Sequence, residues 1–385
     1  MAKRPVRGGS TQRRGVRSRS PAEGARVGPE SPADLAGQIE RLDQQILQQV
    51  NERTRLAQRF AQARQQGSLP PVDLDAEVQA TDALLERNSG PLHDHCVRAL
   101  FRELTAGARL LVHPVRVAYL GPAFSYSHLA AIERFGTSNE LLPVATIAAV
   151  FEEVAQGNAD FGLVPIENST DGRIVDTLEM FVRMPLRICA EVQMRIHHNL
   201  LGRGSRTDVC EVYSKPQALS QCRLWLARHL PAARTVETAS TTEAAQLAAE
   251  KRGVAAIASL QAGVCYGLEV MAANIEDQKD NVTRFAVIGS QPAPRTGNDK
   301  TSLMFELPHQ PGALADAMAI FKRGRLNLTW IESFPKPGCP QEYLFFVELE
   351  GHQAEVRVRR AIASLGRKAV RVEPLGSYAR TRPVG

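Results

Sequence analysis

Residues 164–181 read VPIENSTDGRIVDTLEMF, and they extend an apolar, strand-like run, FGLVP, that begins at Phe161. The run ends in Glu167, an amide, two hydroxyls, Asp171 and Gly172, after which apolar residues return at helical spacing. Asn, Ser, Asp and Gly are turn residues, so a plain turn is one interpretation. Polar side chains at the carboxyl end of a strand are also the usual ligand position in open α/β sheets. The stretch alone favours the turn and leaves a ligand site open as the alternative.

The length and composition of the chain indicate several domains. A chain of 385 residues is too long for one compact core, so two or three domains are expected. No run approaches the ~18 apolar residues of a membrane span, which predicts a protein that does not bind membranes. The six cysteines show neither a CxxC pair nor a metal-ligand spacing. Their scatter is typical of a reduced cytoplasm and predicts a cytoplasmic protein without a metal site or disulfide framework.

The net charge of +6 belongs to the N-terminus. Residues 1–30 hold eight Lys or Arg against Glu23 and Glu30, and the rest of the chain is neutral. The globular part has no basic patch with interleaved aromatic residues, which excludes nucleic acid as its expected partner. Residues 1–30 are rich in Arg, Ser, Gly and Pro and almost free of apolar residues, so a disordered basic tail is predicted there.

Residues 31–113 have the pattern of an all-helical domain. Ser31, Pro32 and Asp34 form a capping-box start with Pro at the first helical position. Further helical patterns run over residues 73–87 and 92–112. The first helix exposes its apolar stripe if it stands alone, so this domain is expected to dimerise. The stripe steps by three or four residues through Leu35, Ile39, Leu42, Ile46 and Val50, and the helix is expected to end at Gly67, Pro70 and Pro71.

From residue 114 to residue 291 short apolar strands alternate with helical segments. This alternation predicts a mostly parallel α/β domain. A Pro/Gly linker, QPAPRTGND, follows. Residues 299–378 then give the order strand, helix, strand, strand, helix, strand, which is the βαββαβ ferredoxin-like plan. The predicted fold class is therefore multidomain, with α and α/β parts.

Four motifs of the α/β segment resemble prephenate dehydratase: YLGPAFSYSHLAA (119–131), VPIENSTDG (164–172), YSKPQAL (213–219) and NVTRF (281–285). The helical segment is similar to the all-helical chorismate mutase domain. The last segment, with PGALADAM and NLTWIESFP, is similar to an ACT domain and implies a regulatory domain. The order of the three parts resembles that of the bacterial P-protein. The resemblance implies a two-lobed dehydratase that needs no cofactor and converts prephenate to phenylpyruvate, water and CO2.

The resemblance also implies site residues, and it makes the ligand-site interpretation of residues 164–181 the favoured one. Thr283, in NVTRF, is the expected catalytic residue, and its expected role is a hydrogen bond to the leaving hydroxyl. For Arg284 a substrate carboxylate and a structural Asp or Glu stay open as partners. Phe124 departs from the family's usual Gly. The expected substrate-binding residues of the dehydratase are Ser125, Ser127, Glu167, Asn168, Ser169 and Arg284.

The helical segment keeps only part of the mutase pattern. Arg53 interrupts an apolar face, and Arg64 lies on the same side roughly 16 Å further along the axis. A buried arginine needs an anionic partner, which is either a neighbouring Glu or Asp or the dianion chorismate. Three other ligand positions hold Ala36, Ala76 and Val112, so weak or absent mutase activity is predicted. The residues that match the mutase site are Arg53, Arg64, Asp73 and Glu77.

The ACT resemblance implies phenylalanine as an allosteric effector bound between two such domains. A domain that serves only dimerisation is the alternative. Phe334 stands where the family has arginine in ESRP, which predicts weakened feedback. The expected effector residues are Gly312, Ala313, Leu314, Asn327, Glu332 and Ser333.

The predicted function is thus a prephenate dehydratase of phenylalanine biosynthesis with a degenerate mutase domain, assembled as a homodimer or homotetramer. A fully bifunctional enzyme that also acts on chorismate is the competing hypothesis. A non-catalytic amino-acid sensor is a third, and the complete NVTRF motif argues against it. Arogenate stays open as a substrate in place of prephenate.

Overall fold

The computed structural model describes residues 31–67, 72–336 and 338–384. The predicted disordered tail and the helix stops at Pro70 and Pro71 lie outside the described residues. The chain divides into two compact units, residues 1–52 and 53–385. No helix in the described parts of the chain has the length and apolar character that crossing a membrane requires. The division into domains at residues 113, 291 and 299 stays a prediction.

Three helices match the three predicted helical patterns. Ser31 caps the first, because its hydroxyl accepts a hydrogen bond from the Asp34 amide at 3.2 Å. In the first unit the apolar stripe is exposed, with Ile39 59% and Ile46 58% accessible. This part of the helix therefore presents an apolar surface to solvent. The helices are α1 (Pro32–Gln66), α2 (Leu74–Leu85) and α3 (Asp94–Leu110).

In the second unit, α2 carries a buried carboxylate, Asp75. One of its oxygens lies 3.6 Å from an Arg134 nitrogen, and the other accepts a hydrogen bond from the Ala379 amide at 3.4 Å. Burial raises the pKa of Asp75 to about 6, although Arg134 and the Ala379 amide act in the opposite direction. The folded protein therefore retains a proton on this carboxyl at pH values where the unfolded chain has lost it.

This raised pKa gives a stability prediction with a defined sign. Between the ordinary value of 3.8 and about 6 the folded state binds more protons, so the free energy of unfolding falls as pH rises. Over this pH range Asp75 lowers the free energy of unfolding by at most about 3 kcal/mol. We expect Asp75→Asn to remove this part of the pH dependence in urea unfolding measured from pH 4 to 7. Asp82→Asn, an exposed carboxyl on the same helix, is the matched control, and parallel curves for wild type and Asp75→Asn would contradict the prediction.

The region after the helices forms two mixed sheets, one in each of two lobes. The first has the order β2-β1-β3-β11-β5, with β4 beside β3, and the second has the order β10-β6-β9-β7-β8. The elements are β1 (Arg116–Leu120), α4 (Tyr126–Phe135), β2 (Glu140–Val144), α5 (Ile147–Ala155), β3 (Phe161–Asn168), β4 (Gly172–Arg173), α6 (Val175–Arg183), β5 (Arg187–Arg195), β6 (Asn199–Gly202), β7 (Glu211–Ser214), α7 (Pro216–Gln221), α8 (Arg223–His229), β8 (Arg234–Glu237), α9 (Thr241–Glu250), β9 (Val254–Ala258), α10 (Leu260–Tyr266), β10 (Glu269–Ala272) and β11 (Val282–Gly289).

The expectation of mostly parallel sheets was wrong. β1 pairs parallel with β2 and β3, but β11 pairs antiparallel with both β3 and β5. The reason is the path of the chain, which leaves the first lobe after β5, builds the second lobe and returns as β11. The returning strand enters the middle of the first sheet, directly beside the strand that ends in Asn168.

The C-terminal segment adopts the predicted βαββαβ order. Its four antiparallel strands are arranged β13-β14-β12-β15. β15 packs so closely on β5 that a Cβ atom at Gly376 would collide with the Ile188 carbonyl oxygen. Only glycine fits at this position. Apolar residues of both sheets, among them Ile288 and Phe346, form one shared core. The elements are β12 (Asp299–Glu306), α11 (Ala313–Arg323), β13 (Leu328–Lys336), β14 (Cys339–Glu350), α12 (Val356–Gly366) and β15 (Arg371–Ala379).

Candidate functional site

Thr283 and Asn168 meet where β11 pairs with β3. The two residues are register partners. The Asn168 side-chain nitrogen donates to the Thr283 hydroxyl oxygen at 2.8 Å and to the Asn281 side-chain oxygen at 2.9 Å. Since the Thr283 oxygen accepts this hydrogen bond, its own proton can be donated elsewhere. The pair therefore presents an oriented hydroxyl donor at the end of the strand.

Residues 168–171 form a turn as well as part of this site. The Asn168 side-chain oxygen accepts from the backbone amides of Thr170 and Asp171 at 2.9 and 3.1 Å. The Ser169 hydroxyl accepts from the Val282 amide at 2.9 Å and donates to a backbone carbonyl, so its contacts are structural. The oxygen of Asn168 shapes the turn and its nitrogen orients Thr283, so the turn is confirmed and the ligand site stays a prediction.

Arg284 lies among three carboxylates. It donates to Glu167 at 2.7 Å and to Glu348 at 2.6 Å, and it lies 3.3 Å from Glu191. Glu348 belongs to β14 of the C-terminal segment, where Lys300 also contacts it at 3.1 Å. Burial alone raises the pKa of Glu191, but Lys300 and Arg284 outweigh it and hold that pKa below its ordinary value. Of the two partners left open for Arg284, this geometry favours protein carboxylates.

A chain of hydrogen bonds extends from Thr283 into the second lobe. Asn281 donates to the Gln221 side-chain oxygen at 2.9 Å, and Gln221 donates to Asp171 at 3.0 Å. His198 Nε2 lies 2.8 Å from the same Gln221 oxygen. Gln221 thus joins the second lobe to the turn that follows Asn168. The sequence interpretation missed Gln221, although it stands two residues after the motif YSKPQAL.

The adjacent residues His197 and His198 differ in burial and in hydrogen-bond partners. His198 is buried, and burial lowers its pKa, so the ring is neutral at neutral pH. We assign its proton to Nε2, since the Gln221 oxygen accepts there, which leaves Nδ1 facing the Tyr126 hydroxyl at 3.2 Å. His197 is partly exposed and pairs with Glu276 at 2.9 Å.

Phe124 and Ser125 lie in the loop before α4, and Ser127 lies in the first turn of that helix. Ser125 caps α4 by accepting from the His128 amide at 3.3 Å, and Ser127 is buried. Phe124 has φ +64°, in the left-handed region that favours glycine. Its carbonyl accepts from the Ser259 hydroxyl at 3.1 Å, and its ring packs on the apolar cluster of the second lobe.

A cavity of about 470 Å³ lies among the helices of the second unit. Arg53 donates to the Thr105 hydroxyl at 3.0 Å, and Arg64 pairs with Asp73 at 3.2 Å. Thus all four residues that match the mutase site reach one cavity. Its polar and charged wall residues are Arg53, Arg64, Asp73, Glu77, Thr81, Thr105, Arg109 and His113.

Arg109, on α3, is a wall residue that the sequence interpretation missed. It is 8% exposed and pairs with Glu77 at 3.3 Å. Its Nη2 donates to the Phe135 carbonyl at 3.2 Å. The sequence could have indicated this residue, because Arg109 lies on the apolar face of α3, near its C-terminal end and three residues before Val112.

The expected effector residues lie at two places in the C-terminal segment. Gly312, with φ +83°, precedes Ala313 and Leu314 at the start of α11. Asn327 precedes β13, which contains Glu332 and Ser333. Glu332 forms an ion pair with Arg173 of β4, directly after the turn at residues 168–171.

Phe334 is 7% exposed and belongs to the core shared with the first sheet of the two-lobed region. Its ring packs edge to face against Phe346, with ring centres 6.3 Å apart. The phenylalanine that replaces the family's arginine therefore acts as a core residue here.

Within the described residues no group of three or more His, Cys, Asp or Glu side chains is arranged to hold a metal ion. The border between the two lobes offers hydroxyl and amide groups, while the guanidinium of Arg284 is engaged by protein carboxylates. Donors of this kind suit a small anionic ligand, and they occur in a chain that also holds the helical cavity and a ferredoxin-like C-terminal segment.

Comparisons with known proteins identify the family. The prephenate dehydratase model matches residues 117–293 and the chorismate mutase type II model matches residues 35–111. The chain is 39% identical over 352 residues to the bifunctional chorismate mutase/prephenate dehydratase of Stutzerimonas stutzeri, covering 89% of this chain and 96% of that protein. The corresponding protein of Pseudomonas aeruginosa is 38% identical over 347 residues, with 88% and 95% covered.

A solved structure supports the same family assignment. Prephenate dehydratase from Arthrobacter aurescens in complex with L-Phe superposes with a TM-score of 0.65 at 34% identity, covering 69% of this chain and 90% of that one. The chain belongs to the family of bifunctional chorismate mutase/prephenate dehydratases. It is a prephenate dehydratase, a carbon–oxygen lyase, that carries a chorismate mutase domain.

Proposed function

We propose that the Thr283 hydroxyl donates a hydrogen bond to the departing hydroxyl of prephenate. The observation that carries this assignment is the 2.8 Å hydrogen bond from Asn168, which makes the Thr283 oxygen an acceptor and leaves its proton for the substrate. Asn281 and Gln221 hold the Asn168 amide in this orientation. A donor aimed at charge that develops in the transition state lowers the barrier without itself ionising.

The reaction needs little more than positioning. The ring carboxylate leaves as CO2, the bonding electrons enter the ring, and the C–O bond to the hydroxyl breaks as the ring becomes aromatic. The departing hydroxide takes up one proton to become water, so one proton is consumed for each phenylpyruvate formed. Thr283 stabilises the hydroxide as it forms, and solvent supplies the net proton. Ser125, Ser127, Glu167 and Ser169 shape the surrounding turn and helix start.

A product assay tests this function directly. We expect the purified protein to convert prephenate to phenylpyruvate without added metal or nucleotide, and to act on chorismate much more slowly when the two are supplied separately. Arogenate supplied in the same way decides which substrate is preferred. Failure to form phenylpyruvate from prephenate would contradict the proposal.

We infer that the helical domain is a weak chorismate mutase. Two of its cations are already engaged by the protein, since Arg53 donates to the Leu104 carbonyl and Thr105, and Arg64 pairs with Asp73. Ala76 and Val112 line the same cavity and offer no side-chain donor. A dianionic substrate must therefore compete with these protein partners for Arg53 and Arg64.

We also propose that the protein is a homodimer or a dimer of dimers. The exposed apolar stripe of α1 in the first unit supports this, because such a surface favours burial against another copy. Exposed Ile331 and Leu314 on the C-terminal segment add a second apolar surface near the expected effector residues.

The C-terminal segment is proposed to bind phenylalanine and inhibit the dehydratase. The ion pair between Glu332 and Arg173 supports it, because it joins the expected effector strand to β4, beside the catalytic turn. We expect Glu332→Gln to raise the phenylalanine concentration needed for half-inhibition about threefold to tenfold, with little change in kcat when phenylalanine is absent.

Asp316→Asn is the matched control, because Asp316 forms an exposed ion pair with Lys368 in the same segment. Calorimetry that detects no phenylalanine binding at millimolar concentration would leave dimerisation as the role of this segment.

A further inference from the structure

Arg109 is a buried cation whose donors are only partly used. Its Nε and Nη1 atoms are fully buried and form no hydrogen bond within the described parts of the chain. Nη2 donates to the Phe135 carbonyl, and Glu77 lies 3.3 Å from Nε without the alignment of a hydrogen bond. A guanidinium has five N–H donors, so several remain for an acceptor.

Buried donors without acceptors destabilise a folded protein, and an arginine kept in this state therefore indicates a missing partner. Glu77 is partly buried, and the loss of solvent around it raises its pKa despite the opposing effect of Arg109. Its carboxylate lies 3.3 Å from Nε of Arg109 but forms no hydrogen bond with it. Glu77 alone thus compensates the guanidinium incompletely.

The cavity beside Arg109 has room for a small ligand. Its volume of about 470 Å³ is within the range of small-molecule sites. Ala76, Ala80 and Ala108 form short walls around the position of Arg109. Arg53 and Arg64 line the same cavity, so a ligand with two carboxylates finds cations there on α1 and α3. The cavity suits a dicarboxylate of about one ring in size.

We propose that Arg109 binds a carboxylate of the dicarboxylate ligand in this cavity and is the main source of its affinity. The inference rests on the proposed function, in which that ligand is chorismate. Any remaining mutase activity then depends on Arg109 of α3. Ala76 of α2 lines the same cavity but has no side-chain donor.

The test compares Arg109→Ala with Arg98→Ala in the full-length protein. Arg98 is the matched control because it lies on the same helix and pairs with an α2 carboxylate, Asp82, but does not line the cavity. Binding of a stable bicyclic ether dicarboxylate, which imitates the rearranging substrate, is measured by calorimetry. We expect Arg109→Ala to weaken binding about 30-fold or more and Arg98→Ala to leave it within about twofold.

Dehydratase turnover in each variant reports whether the protein is folded. If Arg109→Ala does not fold, Arg109→Lys replaces it, and it is expected to bind the probe about tenfold more weakly because one ammonium cannot donate in parallel. The double variant Ala76→Arg/Arg109→Ala is expected to recover binding, since it returns a guanidinium to the same cavity.

The outcomes separate this inference from the proposed function. Arg109-dependent probe binding without detectable chorismate turnover supports the inference and contradicts the mutase assignment. Chorismate turnover and probe binding that are both unchanged in Arg109→Ala or Arg109→Lys overturn the inference and leave the mutase assignment standing.

Discussion

Thr283→Val is expected to lower kcat for prephenate by about 10²- to 10⁴-fold while KM changes little. Valine keeps the branched shape of threonine and its place in β11, so the strand pairing with Asn168 is retained. Only the hydroxyl is lost, and its effect is greatest in the transition state, when negative charge develops on the departing oxygen. Phenylpyruvate formation under saturating prephenate gives kcat directly.

Thr283→Ser is the control for this prediction, because it restores a hydroxyl within reach of the Asn168 amide. We expect it to recover most of the lost activity. A Thr283→Val protein that turns over prephenate at the wild-type rate would remove the hydroxyl from the mechanism.

Arg284→Met is expected to destabilise the protein by about 3–5 kcal/mol. The change leaves Glu167, Glu191 and Glu348 close together with Lys300 as their remaining cation in the cluster. Glu191 and Glu348 are almost fully buried, so their repulsion is poorly screened by solvent. Urea unfolding at pH 7 measures the loss, and kcat should fall with it because Arg284 adjoins Thr283.

Arg380→Met provides the comparison, because Arg380 pairs with Glu350 at 2.9 Å at the surface. That exposed pair is expected to contribute less than about 1 kcal/mol. If both variants lose the same free energy of unfolding, the buried cluster around Arg284 contributes no more to stability than an exposed ion pair.

Local patterns predicted the helices and the C-terminal segment well. The apolar stripe of α1, its Ser31 cap and the βαββαβ order depend on residues close in sequence. The meeting of Thr283 with Asn168 could be predicted only through the family motifs, since 115 residues separate them. β11 forms after the second lobe and returns to the first sheet between β3 and β5. The spacing of apolar residues along the sequence does not indicate this return.

Other features depended on contacts between distant elements. Gln221 and His198 look like ordinary helix and loop residues until the lobes are placed together. The three carboxylates around Arg284 come from β3, β5 and β14, so neighbouring sequence could not choose between substrate and protein partners. Arg109 escaped notice because a charged residue near a helix end usually lies in solvent.

Phe124 has a consequence for the movement of the two lobes. Any widening of the border between them must withdraw an aromatic ring from the apolar cluster of the second lobe and break the Ser259 hydrogen bond. Exposing part of one ring costs on the order of 1–2 kcal/mol. The ring and the carbonyl of Phe124 therefore both oppose separation of the two lobes, and a smaller side chain at this position would lower the free energy that separation costs.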